Sequence, residues 1–139
     1  MGGLALLRDV GAYIKAAIGS IPLSSLGGAA VNGPAINRLG FDSCVLHTAG
    51  GSATGSPTAQ TLDAKLQESE DGSTAWTDIT GAAITQIIAD DSEAQVDVDL
   101  SGVKKFIRVV QTVVLTAGTS PEWPVSSVVI LGGASQVPA

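Results

Sequence analysis

The sequence predicts an all-β chain: a single antiparallel β-sandwich of seven or eight strands, jelly-roll-like, preceded by a short N-terminal helix or arm. Three observations predict it. Residues 62–79 alternate as a strand, turn on Asp71-Gly72 and resume with Trp76 as a second strand. There Leu62, Ala64 and Leu66 fall on one face and Asp63, Lys65 and Gln67 on the other, the period of two that a half-buried strand needs. Residues 94–100 alternate again, with Val96, Val98 and Leu100 opposite Gln95, Asp97 and Asp99. Turn signals recur at regular spacing between short β runs, as in sandwiches of the jelly-roll or Greek-key kind.

Taken in order, Leu4, Leu7, Gly11, Ile14, Ile18 and Ile21 recur at steps of three and four, which predicts one helical face. Gly11 weakens that helix by about 1 kcal/mol relative to Ala, and Gly19 with Pro22 ends it. The expected organisation is therefore an N-terminal helix or arm over residues 1–22 and a β-sandwich domain over residues 23–139. The helix either packs on its own domain or docks as an arm on a neighbouring subunit. Residues 24–40 are Gly-rich connector with at most a short strand around Ala30-Val31. Strands are predicted over residues 41–48, 59–68, 75–79, 84–89, 94–100, 105–116 and 125–131. A Gly/Ser/Thr loop at 49–57, an acidic turn at 90–93 and a loop at 117–124 separate them. The strand at 105–116 is apolar on both faces, with Phe106, Val110 and Val114 on one and Ile107, Val109, Val113 and Leu115 on the other. Such a strand is central or is covered by a partner.

A chain of 139 residues fits one domain that can bury a core without metals or disulfides. Charged residues make up only 14% against 45% apolar, which points to surface covered by another subunit. The net charge of −6 argues against nucleic acid, whose phosphates need a clustered positive field. No segment reaches the roughly 18 to 20 apolar residues of a membrane-spanning helix. Arg8, Asp9 and Lys15 interrupt the first 21 residues, against a secretory signal. Cys44 is the only cysteine, set in the apolar run Cys44-Val45-Leu46, and reads as a small buried hydrophobe.

A search for chemistry assigns no catalytic, cofactor-binding or metal-binding residue, and the chain is expected not to be an enzyme. His47, the single histidine, lies inside a strand, and no serine sits in a G-x-S-x-G setting. Asp90, Asp91 and Glu93 could approach a Ca²⁺, but the spacing lacks the D-x-D-x-D-G loop with its distal glutamate. The glycines form neither a G-x-G-x-x-G nor a P-loop pattern. Trp76 and Trp123 lie near turns, where each packs a sandwich end or one anchors an interface. Exposed-apolar reasoning nominates Leu7, Tyr13, Ile14 and Trp123 as partner-interface residues.

Four phrases then carry a resemblance. Residues 66–78 (LQESEDGSTAWTD) are similar to a phrase common in small head proteins of tailed bacteriophages: a strand, a Ser-x-Asp-Gly turn and an aromatic-Thr strand. Residues 103–109 (VKKFIRV), after Gly102, resemble their Gly-x-Lys-Arg-Tyr-x-Arg-Val strand, with Phe106 in the aromatic place. Residues 128–133 (VVILGG) resemble their closing strand, and residues 4–10 (LALLRDV) their opening. The resemblance implies a head decoration, or cement, protein. It implies binding to the outside of the HK97-fold major capsid lattice, clasping of neighbouring capsomers, residence on the virion surface and synthesis in the host bacterial cytoplasm. The two-faced strand at 105–116 adds an expected homodimer, alternatively a trimer. The same Ser-x-Asp-Gly-x-x-x-Trp phrase also resembles discoidin-type galactose-binding sandwiches, for which Trp123, Glu122 and His47 would be the sugar candidates. Another head or tail structural subunit of the virion is the third reading.

Overall fold

The computed structural model describes residues 9–135, which are all-β apart from one 3-10 turn at Val10–Ala12. Nine strands follow among the described residues: β1 (Lys15–Ser25), β2 (Val31–Asn32), β3 (Ile36–Asn37), β4 (Phe41–Gly50), β5 (Ala59–Ser69), β6 (Thr77–Ala83), β7 (Ser92–Asp99), β8 (Phe106–Thr116) and β9 (Trp123–Ala134). One antiparallel sheet has the order β1-β9-β4-β7. The other has the order β2-β8-β5-β6, with β3 continuing β2 along the same edge of β8. If β2 and β3 count as one interrupted strand, the first strand pairs with the last, the second with β8, β4 with β7 and β5 with β6. The chain is thus one long hairpin of four strand pairs rolled into two facing sheets. That arrangement is the jelly-roll form of the predicted β-sandwich.

The alternation read from the sequence sets the core. Leu62, Ala64 and Leu66 of β5 face Leu46 of β4 and Val129 and Leu131 of β9, all buried between the sheets. Ile107, Val109 and Val113 of β8 add to the same cluster, and Leu100 and Trp123 close it. Strand β8 is central, flanked by β5 on one side and β2 with β3 on the other, and its outward Val110 is also buried. Its two-faced apolar pattern therefore has an explanation within one chain, with outward Val114 left 48% exposed. One buried polar chain crosses the core. Thr48 Oγ1 lies 2.8 Å from Ser127 Oγ, which donates to Gln111 Oε1 at 2.6 Å, so no member is left unpaired at the cost of a buried polar group.

The predicted N-terminal helix is corrected over its described part; residues 1–8 of it lie outside the described residues. From Lys15 the chain is strand β1, hydrogen-bonded to β9, and it runs across residue 22, where the arm was divided from the sandwich. The physical reason lies in two irregularities of register, between Ile18 and Ser20 and between Ser20 and Leu23. Each shifts the phase of a strand's alternation. Ile18 points out opposite Val128 while Leu23 pairs inward with Val125, so apolar residues on both faces of an edge strand stand at a spacing that imitates a helix. Gly19 fits here by close approach. A Cβ on Gly33 would fall on the Gly19 carbonyl oxygen, and one on Gly19 would come 2.7 Å from Val109 Cγ2. Residues 84–89 form no strand; Ile87 makes only an isolated bridge to Leu62. Strand β3, which no apolar run announced, lies inside the predicted connector.

Candidate interaction site

Strand β1 is eleven residues long; across the sandwich it meets β8, where Gly19 approaches Val109, and beyond that the two-residue β2. Ile21 and Leu23 of β1 are left more than half exposed there. Between the sheets there an apolar cleft of about 370 Å³ opens to solvent, lined by Ile21, Leu23, Val31, Val113, Val125 and the Gln111 amide. Its volume is in the range of binding pockets, apolar walls with a few polar groups. Around it Ile21, Leu23, Leu26 and Val31 are each more than half exposed. Contiguous exposed apolar surface of this kind marks an interaction site. No strand among the described residues covers the outer edge of β1. Pro22 and the register shifts blunt that edge, since an edge Pro and bulges discourage indiscriminate strand pairing.

Of the four nominated interface residues three are described, and those three do not form one site. Leu7 lies outside the described residues. Tyr13 and Ile14 are half-buried just before β1, and Ile14 lines a shallow depression on the outer face of the first sheet with Val45, Asp97 and Ile130. Trp123 sits at the other end of that sheet, paired with Ser25, and is fully buried; its Nε1 donates to the Gly51 carbonyl at 2.7 Å. The exposure assumed for Trp123 is corrected: it packs a sandwich end, because its ring fills the gap over Gly50 and Gly51. It offers no face to a sugar. His47 is on the outer face of the sheet, where its Nε2 is 2.8 Å from Glu93 Oε2, remote from any stacking ring. Trp76 is half-buried under the Arg108 guanidinium, 4.4 Å from the ring centroid, and Arg108 donates through Nε and Nη2 to Gln67 Oε1. Sequence reasoning missed the cleft because it placed residues 24–40 as connector and read Ile18 and Ile21 as helix. The signal was present in the run of large apolar residues at Ile18, Ile21, Leu23 and Leu26 beside a two-residue strand.

The carboxylates work as turn chemistry. Asp71 accepts from the Thr74 hydroxyl and amide, the Ser73 amide and the Ser69 hydroxyl, which together hold its carboxyl far below the usual range. Asp78 is lowered by Gln67 and then Lys65, Asp90 by the Ala53 amide and then Gln60, and Asp99 by Ser101. Asp91 accepts from Ser52 Oγ. Among the described residues no group of three or more His, Cys, Asp and Glu is gathered as a metal site. Asp90 and Asp91 instead tie the loop after β4 to the loop before β7. Ser56, Asp91, Ala117 and Ser120, all with positive φ, cluster in these loops and the β8–β9 loop. Cys44 is buried, and burial pushes its thiol up to about 11.

No protein-family model matches the chain, and no curated protein sequence matches it. Solved structures do. A chain of the T13 particle of infectious bursal disease virus (IBDV) is 10% identical with a TM-score of 0.55, covering 85% of this chain and 30% of that one. The VP2 subviral particle of the same virus is 14% identical with a TM-score of 0.50, covering 88% of this chain and 32% of that one. The chain therefore spans about a third of the length of those viral proteins. The SPBc2 prophage-derived protein YomS is 15% identical with a TM-score of 0.42, covering 84% of this chain and 92% of that one. At these identities the likeness to the bursal disease virus proteins is one of fold: the chain shares their β-sandwich.

Proposed function

We propose that the protein is a structural component of a phage virion that binds the outside of an HK97-fold major capsid lattice and clasps neighbouring capsomers. The observation that carries this reading is the fit between sequence phrases and fold. The three described phrases that resemble head decoration proteins lie on the end of β5, its turn and the start of β6, with Trp76 just before that strand, on the approach to β8 and its first residues, and within β9. The jelly roll that joins them is a fold from which viral shells and lectins alike are made, so fold alone does not choose between roles. The buried Trp123 and the separated His47 speak against the sugar-binding alternative. The exposed apolar edge along β1 and β2 suits a protein that works by contact.

The physics of the role is simple. A modest interface repeated over a shell gains avidity, because each bound copy bridges partners already held together. A protein that binds the expanded shell better than the unexpanded or broken one stabilises it by that difference. The test is to add purified protein to expanded heads stripped of it and measure occupancy by sedimentation. Saturable occupancy is expected. No occupancy, together with saturable galactoside binding in calorimetry, would replace this reading with the sugar-binding one.

A further inference from the structure

We propose that the cleft between β1 and β2 binds a small uncharged aliphatic molecule by one oxygen, which Gln111 and Ser20 hold. Register brings the polar groups together. On β8, Ile107, Val109 and Val113 face the core, and Gln111 falls in the same alternation, so its amide enters between the sheets. Across the sandwich Ser20, Ser127 and Thr48 stand side by side on β1, β9 and β4. Ser127 Oγ donates to Gln111 Oε1 at 2.6 Å and lies 2.8 Å from Thr48 Oγ1, which fixes the amide. The polar row ends at the cleft, where Gln111 and Ser20 are only 5% and 6% exposed.

Two atoms at that end are unanswered. Gln111 Nε2 and Ser20 Oγ make no hydrogen bond among the described residues, whereas Gln111 Oε1 does. Neither atom is sealed away, because no fully buried side-chain nitrogen or oxygen among the described residues lacks a partner. The little surface they keep faces the cleft that both residues line. A ligand oxygen there takes over the bonds that water would make, while its aliphatic body covers the walls.

The walls fix the class of ligand. Ile21, Leu23, Val31, Val113 and Val125 give an aliphatic lining, with no aromatic ring on which a sugar could stack. None of the described residues that line it is charged, so a carboxylate or an ammonium would lose its hydration without a counter-charge. A cavity of about 150 Å³ takes a benzene, so one of about 370 Å³ has room for roughly 15 non-hydrogen atoms. The occupant is a short alkyl chain with one hydroxyl or carbonyl oxygen, which accepts from Gln111 Nε2 and bonds Ser20 Oγ. The site needs no capsid partner and does not depend on the capsid reading.

Titration of the full-length protein with n-octanol, followed by methyl NMR, tests it. Saturable shifts are expected at Val31, Val113 and Val125, with n-octanoate at neutral pH at least about tenfold weaker. Val31→Trp fills the cleft from its exposed rim and should weaken n-octanol binding at least about tenfold. Gln111→Met keeps the volume, removes the amide and should weaken binding about threefold to tenfold. If its urea transition shows that Gln111→Met does not fold, Ser20→Ala is read in its place, with a loss of about twofold or more. No saturable shift up to the solubility of n-octanol overturns the proposal. So does n-octanoate binding as tightly as n-octanol, and so does unchanged affinity in Val31→Trp or in the folded polar variant. Protection of Val31→Cys from a thiol reagent by expanded capsids but not by n-octanol also overturns it, giving the cleft to a protein partner.

Discussion

Trp123 and Gly50 are each shaped by the other, and their coupling is open to a double-mutant cycle. The Trp123 ring is fully buried, and a Cβ on Gly50 would lie 2.8 Å from its Cζ2, 2.9 Å from Cε2 and 3.0 Å from Nε1. Trp123→Ala removes the ring and the Nε1 bond to Gly51, and should cost about 3–5 kcal/mol, as large-to-small aromatic changes in cores do. For a chain of this size that lowers Tm by about 10–20 °C. Gly50→Ala alone overpacks the site and should cost about 1–3 kcal/mol. Once the ring is gone the same methyl has room, so in the Trp123→Ala background its cost should fall close to zero. The coupling is then at least about 1 kcal/mol, well outside the scatter of independent sites. Urea unfolding of the four proteins gives the cycle. Additive costs, or a Trp123→Ala cost below about 1 kcal/mol, would refute both the packing described and the correction of Trp123 from interface to core.

Other outcomes follow from the same structure. Gly33→Ala drives a methyl onto the Gly19 carbonyl oxygen and should cost about 1–3 kcal/mol or more in urea unfolding; an unchanged midpoint would mean the two sheet edges do not meet there. Asp71, Asp78, Asp90 and Asp99 have lowered folded pKa values, so the stability they lend is full above the ordinary carboxylate value and is lost as pH falls through the folded ones. The urea midpoint should hold from pH 7 to about 5, then drop below about pH 4, and Asp71→Ala should reduce the drop. An equal midpoint at pH 3 and pH 7 would contradict this. Cys44, its thiol raised to about 11, should react with a chromogenic disulfide reagent at pH 8 only as the protein unfolds, at least about a hundredfold slower than in urea. Fast native labelling would place it at the surface.

The regular strands were legible because one face of each meets the core. The alternation of Leu62, Ala64 and Leu66 and of Val96, Val98 and Leu100 reports that directly, and β4, β5, β7, β8 and β9 stand within a few residues of their predicted bounds. Strand β1 was not legible. Its two register shifts break the plain alternation, Ile14, Ile18 and Ile21 stand at helical spacing, and only tertiary pairing with β9 distinguishes the two readings. Pattern also fails for β3, since two residues cannot show a period, whereas β2 falls at the short strand allowed around Ala30-Val31. The cleft depends on this irregular edge, which is why the candidate site was less readable than the fold. Trp123 illustrates the converse: an aromatic beside a turn signals packing or an interface equally well, and only the space above Gly50 decides.

The most direct test of the central claim compares occupancy on expanded and unexpanded shells of the same phage. Purified protein is added in molar excess to each, and bound copies are located by electron cryo-microscopy. Density is expected on the outer surface of expanded shells, bridging capsomers, with a raised melting temperature and little binding before expansion. Bare expanded shells, or equal binding to both forms with no change in melting, would contradict it.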